Sequence, residues 1–466
     1  MTEGVAPQTR RAVKGMLGLD ELRGEVERGT IDTVLTCFTD MQGRLMGKRV
    51  TASFFLDSVA RSGTHACAYL LTVDVDMTPL PGYRLASWNT GYQDFHAVCD
   101  LGTLRRIPWL EGTALVLCDL VDEHGQPVEE SPRRVLQRQV ERATAHGFGL
   151  LLASELEFVL FRDSYDDARR KRYRDIEPIG AYAEDYHIFQ TSKEEFVHRA
   201  IRNGMGGAGI AVECSKGEWS PGQQEINLRY GEPVPCADDH TIYKNGAKEI
   251  AHQRGVSLTF MAKYAMSQAG SSFHLHSSLW DAPRARNVFA EAGSATGSAL
   301  FRHWVAGQMA LARELAWFFA PYVNSYKRYQ EGTFAPTRIA WGVDNRTTGF
   351  RVCGEGQSLR IENRIPGADA NPYLAYAATI AAGLHGIEHR LEPPPLYRGN
   401  AYEDPSLPRV PATLREAIGE LERSRVAREF LGDAVFEHYL HTARHELEAL
   451  DRVVTDWELE RGFERL

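Results

Sequence analysis

Ser154-Glu155-Leu156-Glu157-Phe158 sets two carboxylates at i and i+2 around one apolar residue. Two later stretches repeat the arrangement, Phe273-His274-Leu275-His276-Ser277 and Leu359-Arg360-Ile361-Glu362-Asn363-Arg364. On a β-strand this spacing sends the polar side chains to one face and the apolar ones to the other. Ionised groups on a face closed off from water are costly unless they pair or hold a metal. Three such strands in one chain therefore predict a shared polar cavity, where carboxylates and imidazoles meet a hard cation and something anionic.

Outward from the first stretch, Gly147–Leu160 reads as the strand that carries Glu155 and Glu157. Ser131-Pro132 opens a helix before it that runs to about Ala145, with proline at the first helical position. Further upstream, residues 1–15 read as a disordered lead and Met16–Glu27 as a short amphipathic helix. Ile31–Phe38 is a β-branched, alternating strand that turns through Thr39–Gly43 into Lys48-Arg49-Val50, a hairpin. Strands are also expected near Ala68–Val73 and Ala114–Cys118, giving a small mixed unit over the first 115 or so residues. Downstream, Arg162–Asp175 reads as a solvated charged segment, and Ser192-Lys193-Glu194-Glu195 as a capping box for a helix to about Met205. Helices are expected around 297–319, at Pro372–Glu388 and over the last 50 residues, with loops through 325–350.

A chain of 466 residues exceeds one ordinary core, so two domains are expected. Its 43% hydrophobic and 25% charged residues are those of a globular protein in water. The net charge of −9, with basic residues scattered, argues against a nucleic-acid surface. No segment is apolar enough for a signal peptide or a membrane span, and the seven cysteines are isolated, without a CxxC. The expectation is a cytoplasmic protein with reduced thiols and no membrane partner.

Six positions have the chemistry of metal ligands: Glu155, Glu157, Glu218, Glu225, His274 and Glu362. Five carboxylates and one imidazole suit Mg²⁺ or Mn²⁺ better than zinc. Glu218 and Glu225 lie on Lys216-Gly-Glu-Trp-Ser-Pro-Gly-Gln-Gln-Glu225, where a Pro-Gly turn lets both point at one centre. Asn324-Ser-Tyr-Lys-Arg328 and Asp344-Asn-Arg346-Thr-Thr-Gly-Phe-Arg351 concentrate arginines, whose forked donors hold carboxylate or phosphate. Neither a GxxxxGK[ST] nor a GxGxxG motif is present, so phosphates would be held by metal and arginine.

The series Glu-Leu-Glu-Phe, Pro-Gly-Gln-x-Glu-Ile, Gly270-x-x-x-His274-x-His276-x-Ser278, Asn-Ser-Tyr-Lys-Arg and Arg360-Ile-Glu362-x-Arg364…Asn371-Pro-Tyr373 resembles the glutamine synthetase family over about residues 17–466. The resemblance implies an α+β fold: a small N-terminal β-grasp domain (17–115) and a larger C-terminal catalytic domain (116–466) of antiparallel sheet and helices. It implies a homo-oligomer, usually a dodecamer of two hexameric rings, with sites completed by a neighbour. By the same resemblance Glu157, Glu218 and Glu225 hold the metal on the glutamate side. Glu155, His274 and Glu362 hold the one beside the ATP phosphates. Gly270, Arg328 and Arg364 match glutamate-binding positions. His276, Ser278, Arg346, Arg351, Arg360 and Tyr230 match nucleotide and phosphate contacts, with Arg328 and Arg346 catalytic. The implied chemistry is attack of glutamate's γ-carboxylate on ATP, giving γ-glutamyl phosphate, which an amine then cleaves.

Two departures bear on that amine. Family members that use ammonia carry an Asp-Gly-Ser-Ser loop; Gly63–Asp76 lacks it, with Asp74 and Asp76 the nearest acids. They also carry a glutamate six residues beyond the arginine of Asn-Ser-Tyr-Lys-Arg, where this chain has Phe334. Phenylalanine cannot take a proton from ammonium, but it packs on a carbon skeleton or attracts an alkylammonium to its ring. Similar departures occur in the γ-glutamylpolyamine and γ-glutamylethanolamide synthetases of the family. The expectation is a ligase joining glutamate to an alkyl amine, with Phe334 at the amine. The alternative is an ammonia-using glutamine synthetase in which another acid, such as Glu331, takes over. Tyr402 matches a tyrosine that is adenylylated in some members, and reads here as a surface tyrosine.

Overall fold

The computed structural model describes residues 14–282, 284–294 and 296–466, and its strands fall into two sheets. β1 (Thr33–Thr39) and β2 (Leu45–Thr51) form the expected hairpin. The Asp40 carboxylate shapes its turn, accepting from the backbone N–H groups of Gln42 and Arg44 at 3.0 and 2.8 Å. With β3 (Thr64–Cys67), β4 (Asp94–Arg106) and β5 (Thr113–Val121) they give the order β2-β1-β5-β4-β3, in which only β1 and β5 run parallel. β5 runs on to Val121, so the division expected at residues 115/116 falls inside a strand of the first sheet.

The second sheet is built from β6 (Phe148–Phe161), β7 (Val212–Gly217), β8 (Gln223–Leu228), β9 (Ser257–Thr259), β10 (Phe273–Asp281), β11 (Trp341–Val343), β12 (Phe350–Cys353) and β13 (Arg360–Asn363). Its order is β11-β12-β13-β10-β6-β8-β7, with β9 also on β6, and only the β11–β12 pair is parallel. This is an α+β fold. Leu156 and Phe158 on β6, Phe273 and Leu275 on β10, Ile226 on β8 and Ile361 on β13 are fully buried. Each such side chain contributes roughly 1.5–3 kcal/mol on burial. Helices Pro132–Ala145 and Pro233–Gln253 pack against β6 on that side. Helix Pro372–Glu388 reaches it through the hydroxyls of Ser154 and Tyr376, 3.1 Å apart. The sheet thus has one apolar face on helices and one polar face, as the alternation in sequence requires.

Three local readings are corrected. Ala68–Leu71 is a 3₁₀ turn, the strand there having ended at Cys67; Ala68 and Leu71 instead turn inward to the cluster of Phe38 and Phe95. Ser192 does not cap the following helix. It ends a short helix (Ile188–Ser192), its hydroxyl donating to the Ile188 carbonyl at 2.8 Å, and the next helix begins at Glu195. Glu194 stands at the N-cap instead, its side chain accepting from Gln224 Nε2 at 2.6 Å, and Glu195, the acid of the expected box, pairs with Arg202. The first helix starts at Leu19, because Met16 is held in a β-bridge to Arg105. The lead segment lies, up to residue 13, outside the described residues. Among the described residues no helix is long and apolar enough to cross a membrane.

Candidate active site

Register assembles the polar face. Glu157 stands opposite Glu225, Glu155 opposite His274, and His276 opposite Glu362, each pair across antiparallel neighbours. Directly opposed residues share a face. Because 155 and 157 share one face, as do 274 and 276, all six side chains meet on the side of the sheet away from the helices. Arg351 on β12 is opposite Glu362, and Lys216 on β7 opposite Glu225, which extends the row at both ends.

At one end, Glu155, His274 and Glu362 bring ligand atoms within 4.8 Å of one another. His274 Nδ1 is 3.4 Å from Glu155 and 3.5 Å from Glu362, and His276 Nε2 lies 3.0 Å from Glu155. Arg360 Nε donates to His276 Nδ1 at 3.2 Å, which leaves the other ring nitrogen to carry the proton towards Glu155. Arg351 and Arg364 donate to the two oxygens of Glu362 at 2.9 and 2.5 Å. Burial alone would raise the Glu362 carboxyl, but Arg364 and the two imidazoles outweigh it and bring it to about 2. Burial is likewise outweighed at Glu155, where His276 and His274 hold the carboxyl well below its usual range.

The other end is not balanced in this way. Glu157, Glu225 and His274 again bring ligand atoms within 4.8 Å, with Glu218 alongside. Burial, then repulsion from Glu157, pushes the Glu218 carboxyl up to about 7. Burial, then Glu218, raises Glu225 well above its ordinary value. Lys216 is the cation beside them. Its ammonium donates to Glu218 and stands 3.9 Å from Glu225 and 4.0 Å from Asp185. Glu157 is pinned by its neighbours: Ser272 N–H and Gln223 Nε2 donate to Oε2 at 2.8 and 3.0 Å. Carboxylates with an imidazole at one end, and buried carboxylates that repel one another at the other, fit divalent cations at both ends of the row.

Two cavities open on this face. The first, of about 600 Å³, is lined by both acid groups and also by Gly270, Arg328, Arg346, Arg351, Arg364 and Phe334. The second, of about 440 Å³, is lined by Tyr230, His276, Ser278 and Arg360. Glu155 and Asn227 line both, so the cavities meet at Glu155. Gly270 is needed for closeness: a Cβ there would sit 2.6 Å from the Ala262 carbonyl oxygen and from Arg328 Cγ. Arg328 is fully buried and donates to the carbonyls of Ile365 and Arg364 at 2.9 and 3.0 Å. Arg346 is exposed at the rim.

Phe334 is half-exposed, has a left-handed backbone (φ +58°), and packs edge-on against Trp219 with ring centroids 5.1 Å apart. A bulky residue rarely adopts that conformation, so the loop is held by its surroundings, Arg364 donating to the Phe334 carbonyl at 3.3 Å. Trp219, Tyr186, Asp185 and Lys216 line the same cavity and Trp280 the second; none had been singled out for a role from sequence. Trp219 sits between Glu218 and the Pro-Gly turn, and that position was the available signal. Asp74, Asp76 and Glu331 line neither cavity. Tyr402 is no surface tyrosine: it is buried, its hydroxyl donating to the Ala335 carbonyl at 3.0 Å.

Residues 129–462 match the model of the glutamine synthetase catalytic domain. The chain is 52% identical to the gamma-glutamylethanolamide synthetase GlnA4 of Streptomyces coelicolor, over 97% of this chain and 96% of that one. It is 38% identical to a glutamate–isopropylamine ligase of a Pseudomonas species, over 95% and 97%. A solved structure of a GmaS/ADP complex superposes with a TM-score of 0.83 at 27% identity, covering 95% of this chain and 99% of that one. The chain belongs to the glutamine synthetase family. It is a carbon–nitrogen ligase, of a family whose enzymes use ATP and divalent metal ions.

Proposed function

We propose that the protein joins the γ-carboxylate of glutamate to an alkyl amine of the size of ethanolamine, with ATP cleaved to ADP and phosphate. The carrying observation is the wall of Phe334 on Trp219 inside the cavity that also holds the acids and arginines. Ammonium, small and strongly hydrated, has no carbon to bury on these rings; an alkylammonium buries its carbons there and keeps its charge near the acids. The names of the two relatives above, both amine ligases, support the same reading.

In this proposal the nucleotide occupies the second cavity, with Tyr230, Ser278, His276 and Arg360 along it, and its γ-phosphate reaches the junction at Glu155. Glutamate lies in the first cavity by Gly270, Arg328 and Arg364. Glu157, Glu218 and Glu225 would hold one cation, and Glu155, His274 and Glu362 a second, Mg²⁺ or Mn²⁺. When bound, these ions neutralise the phosphate and carboxylate oxygens. A γ-carboxylate oxygen attacks the γ-phosphorus and ADP leaves, while Arg346 and Arg351 balance charge on the transferring group. The amine, its ammonium proton given up to solvent, then attacks the γ-carbonyl carbon, phosphate departs from the γ-glutamyl phosphate with the bonding pair, and the departing phosphate takes the second amine proton. We further propose assembly as a dodecamer of two hexameric rings.

The test is phosphate release with glutamate, ATP and a panel of ammonia, ethanolamine, isopropylamine and polyamines. The expected result is faster turnover with at least one amine than with ammonia. Ammonia equal to or above every amine overturns the reading.

A further inference from the structure

Outside the residues that line the two cavities, helix Asp433–Asp451 meets the loop that carries Pro81, Gly82 and Tyr83. His441 and His445 are one turn apart on that helix, and their Nε2 atoms approach to 2.9 Å. The Pro81 carbonyl oxygen is 2.7 Å from His441 Nε2 and 3.3 Å from His445 Nε2. Three electron-pair donors thus form a triangle with edges of 2.7, 2.9 and 3.3 Å.

Protons satisfy this triangle poorly. A neutral imidazole has one N–H and one lone pair. If His445 donates to His441, the His441 lone pair faces it, and the 2.7 Å approach of His441 to the carbonyl sets lone pair against lone pair. If both rings donate to the carbonyl, two N–H groups crowd each other; if only His441 donates, its one N–H is shared between the carbonyl and the His445 lone pair. A cation at the centre satisfies all three donors at once. A tetrahedral Zn²⁺ with nitrogens at about 2.0–2.1 Å has ligand edges of roughly 3.3 Å. One edge already has that length, and the others must open by roughly 0.4 and 0.6 Å.

The surroundings hold the donors in place. Tyr83 packs edge-on against His441 at 4.6 Å, and its hydroxyl is 2.8 Å from that of Thr442 on the same helix. Gly82 has φ +92°, and a Cβ there would come 2.8 Å from His441 Nε2, so glycine is what lets the carbonyl and the ring approach. Both histidines remain partly open to solvent, which gives an ion a way in and a water the fourth position.

We infer that His441, His445 and the Pro81 carbonyl form a binding site for a borderline transition-metal dication such as Zn²⁺ or Cu²⁺, separate from the acid row of the catalytic cavity. Two imidazoles favour these ions over Mg²⁺, which takes oxygen donors. Occupied, the site clips the loop of Pro81 to the C-terminal helix.

The test uses the full chain with Mg²⁺ saturating and Zn²⁺ or Cu²⁺ alone as probe. Titration calorimetry should find one equivalent of Zn²⁺ per chain more for the wild type than for His441→Gln/His445→Gln. Zn²⁺ should raise the melting temperature of the wild type only. Cu²⁺ added to the wild type should give an electron paramagnetic resonance signal split by two imidazole nitrogens, a pattern the single variant His445→Gln reduces to one. The copper measurement stands on the wild type and so survives a variant that folds poorly. Equal zinc stoichiometry in wild type and folded double variant, or no two-nitrogen copper species in the wild type, overturns the inference.

Discussion

The two ends of one row of side chains, built on the same sheet, are electrostatically opposite. Glu362 lies between Arg351 and Arg364, its carboxyl held at about 2. Glu225 and Glu218 lie among other acids with Lys216 as the cation beside them, their carboxyls pushed up. The acids therefore do different work in the folded chain. Glu362 is part of the scaffold before any ion arrives, whereas the Glu218–Glu225 end stores repulsion that a divalent cation relieves.

Substituting each end breaks the comparison most sharply. Glu225→Gln and Glu362→Gln should each lower kcat/KM by more than ~100-fold, since even an outer hydrogen-bond partner of a metal ligand is worth 10–100-fold. Their stabilities should diverge. Glu362→Gln leaves two arginines facing a buried amide and should cost ~3–5 kcal/mol by denaturant unfolding. Glu225→Gln removes repulsion and should leave metal-free stability unchanged or raised. Equal destabilisation by both would break the contrast.

Arg346 is exposed at the rim and makes no side-chain hydrogen bond among the described residues, so it tests charge without structure. Arg346→Ala should lower kcat by ~10²–10³-fold at unchanged melting temperature. On the acceptor wall, Trp219→Ala should raise KM for the amine ~10-fold and leave KM for ATP unchanged, as steady-state kinetics would report.

The smallest effect is a pH dependence. The Glu218 carboxyl stands at about 7 in the folded chain against an ordinary 4.5. The folded chain therefore holds a proton that the unfolded chain has lost across that window, and stability in chelator should fall as pH rises through it. Saturating Mg²⁺ should reverse the trend, because the ion binds the deprotonated acids. Melting temperatures from pH 5 to 8, with and without Mg²⁺, read this directly, and Glu218→Gln should flatten the metal-free slope.

What was legible in the sequence follows from period. Alternation at 154–158, 273–277 and 359–364 gave both the strands and the shared face, since a two-residue repeat carries its own geometry. The apolar run Ala68–Val73 carried no such period, and the turn there was decided by packing against Phe38 and Phe95. Ser192 failed as a cap because it closes the preceding turn, its hydroxyl on the Ile188 carbonyl, while Glu195 pairs with Arg202. Tyr186 and Trp219 join the cavity from loops and Lys216 from β7 through its pairing with β8, which local pattern does not encode. Phe334 was legible as a departure; its partner Trp219 and its left-handed backbone were not.

The central claim, that the Phe334–Trp219 wall selects an alkyl amine over ammonia, is tested most directly by competition. Wild type and Phe334→Glu would each receive glutamate, ATP, Mg²⁺ and equal ammonia and ethanolamine, with products counted by mass spectrometry. The account predicts mostly γ-glutamylethanolamide from the wild type, with the share of glutamine rising in Phe334→Glu. Glutamine as the main wild-type product would contradict it.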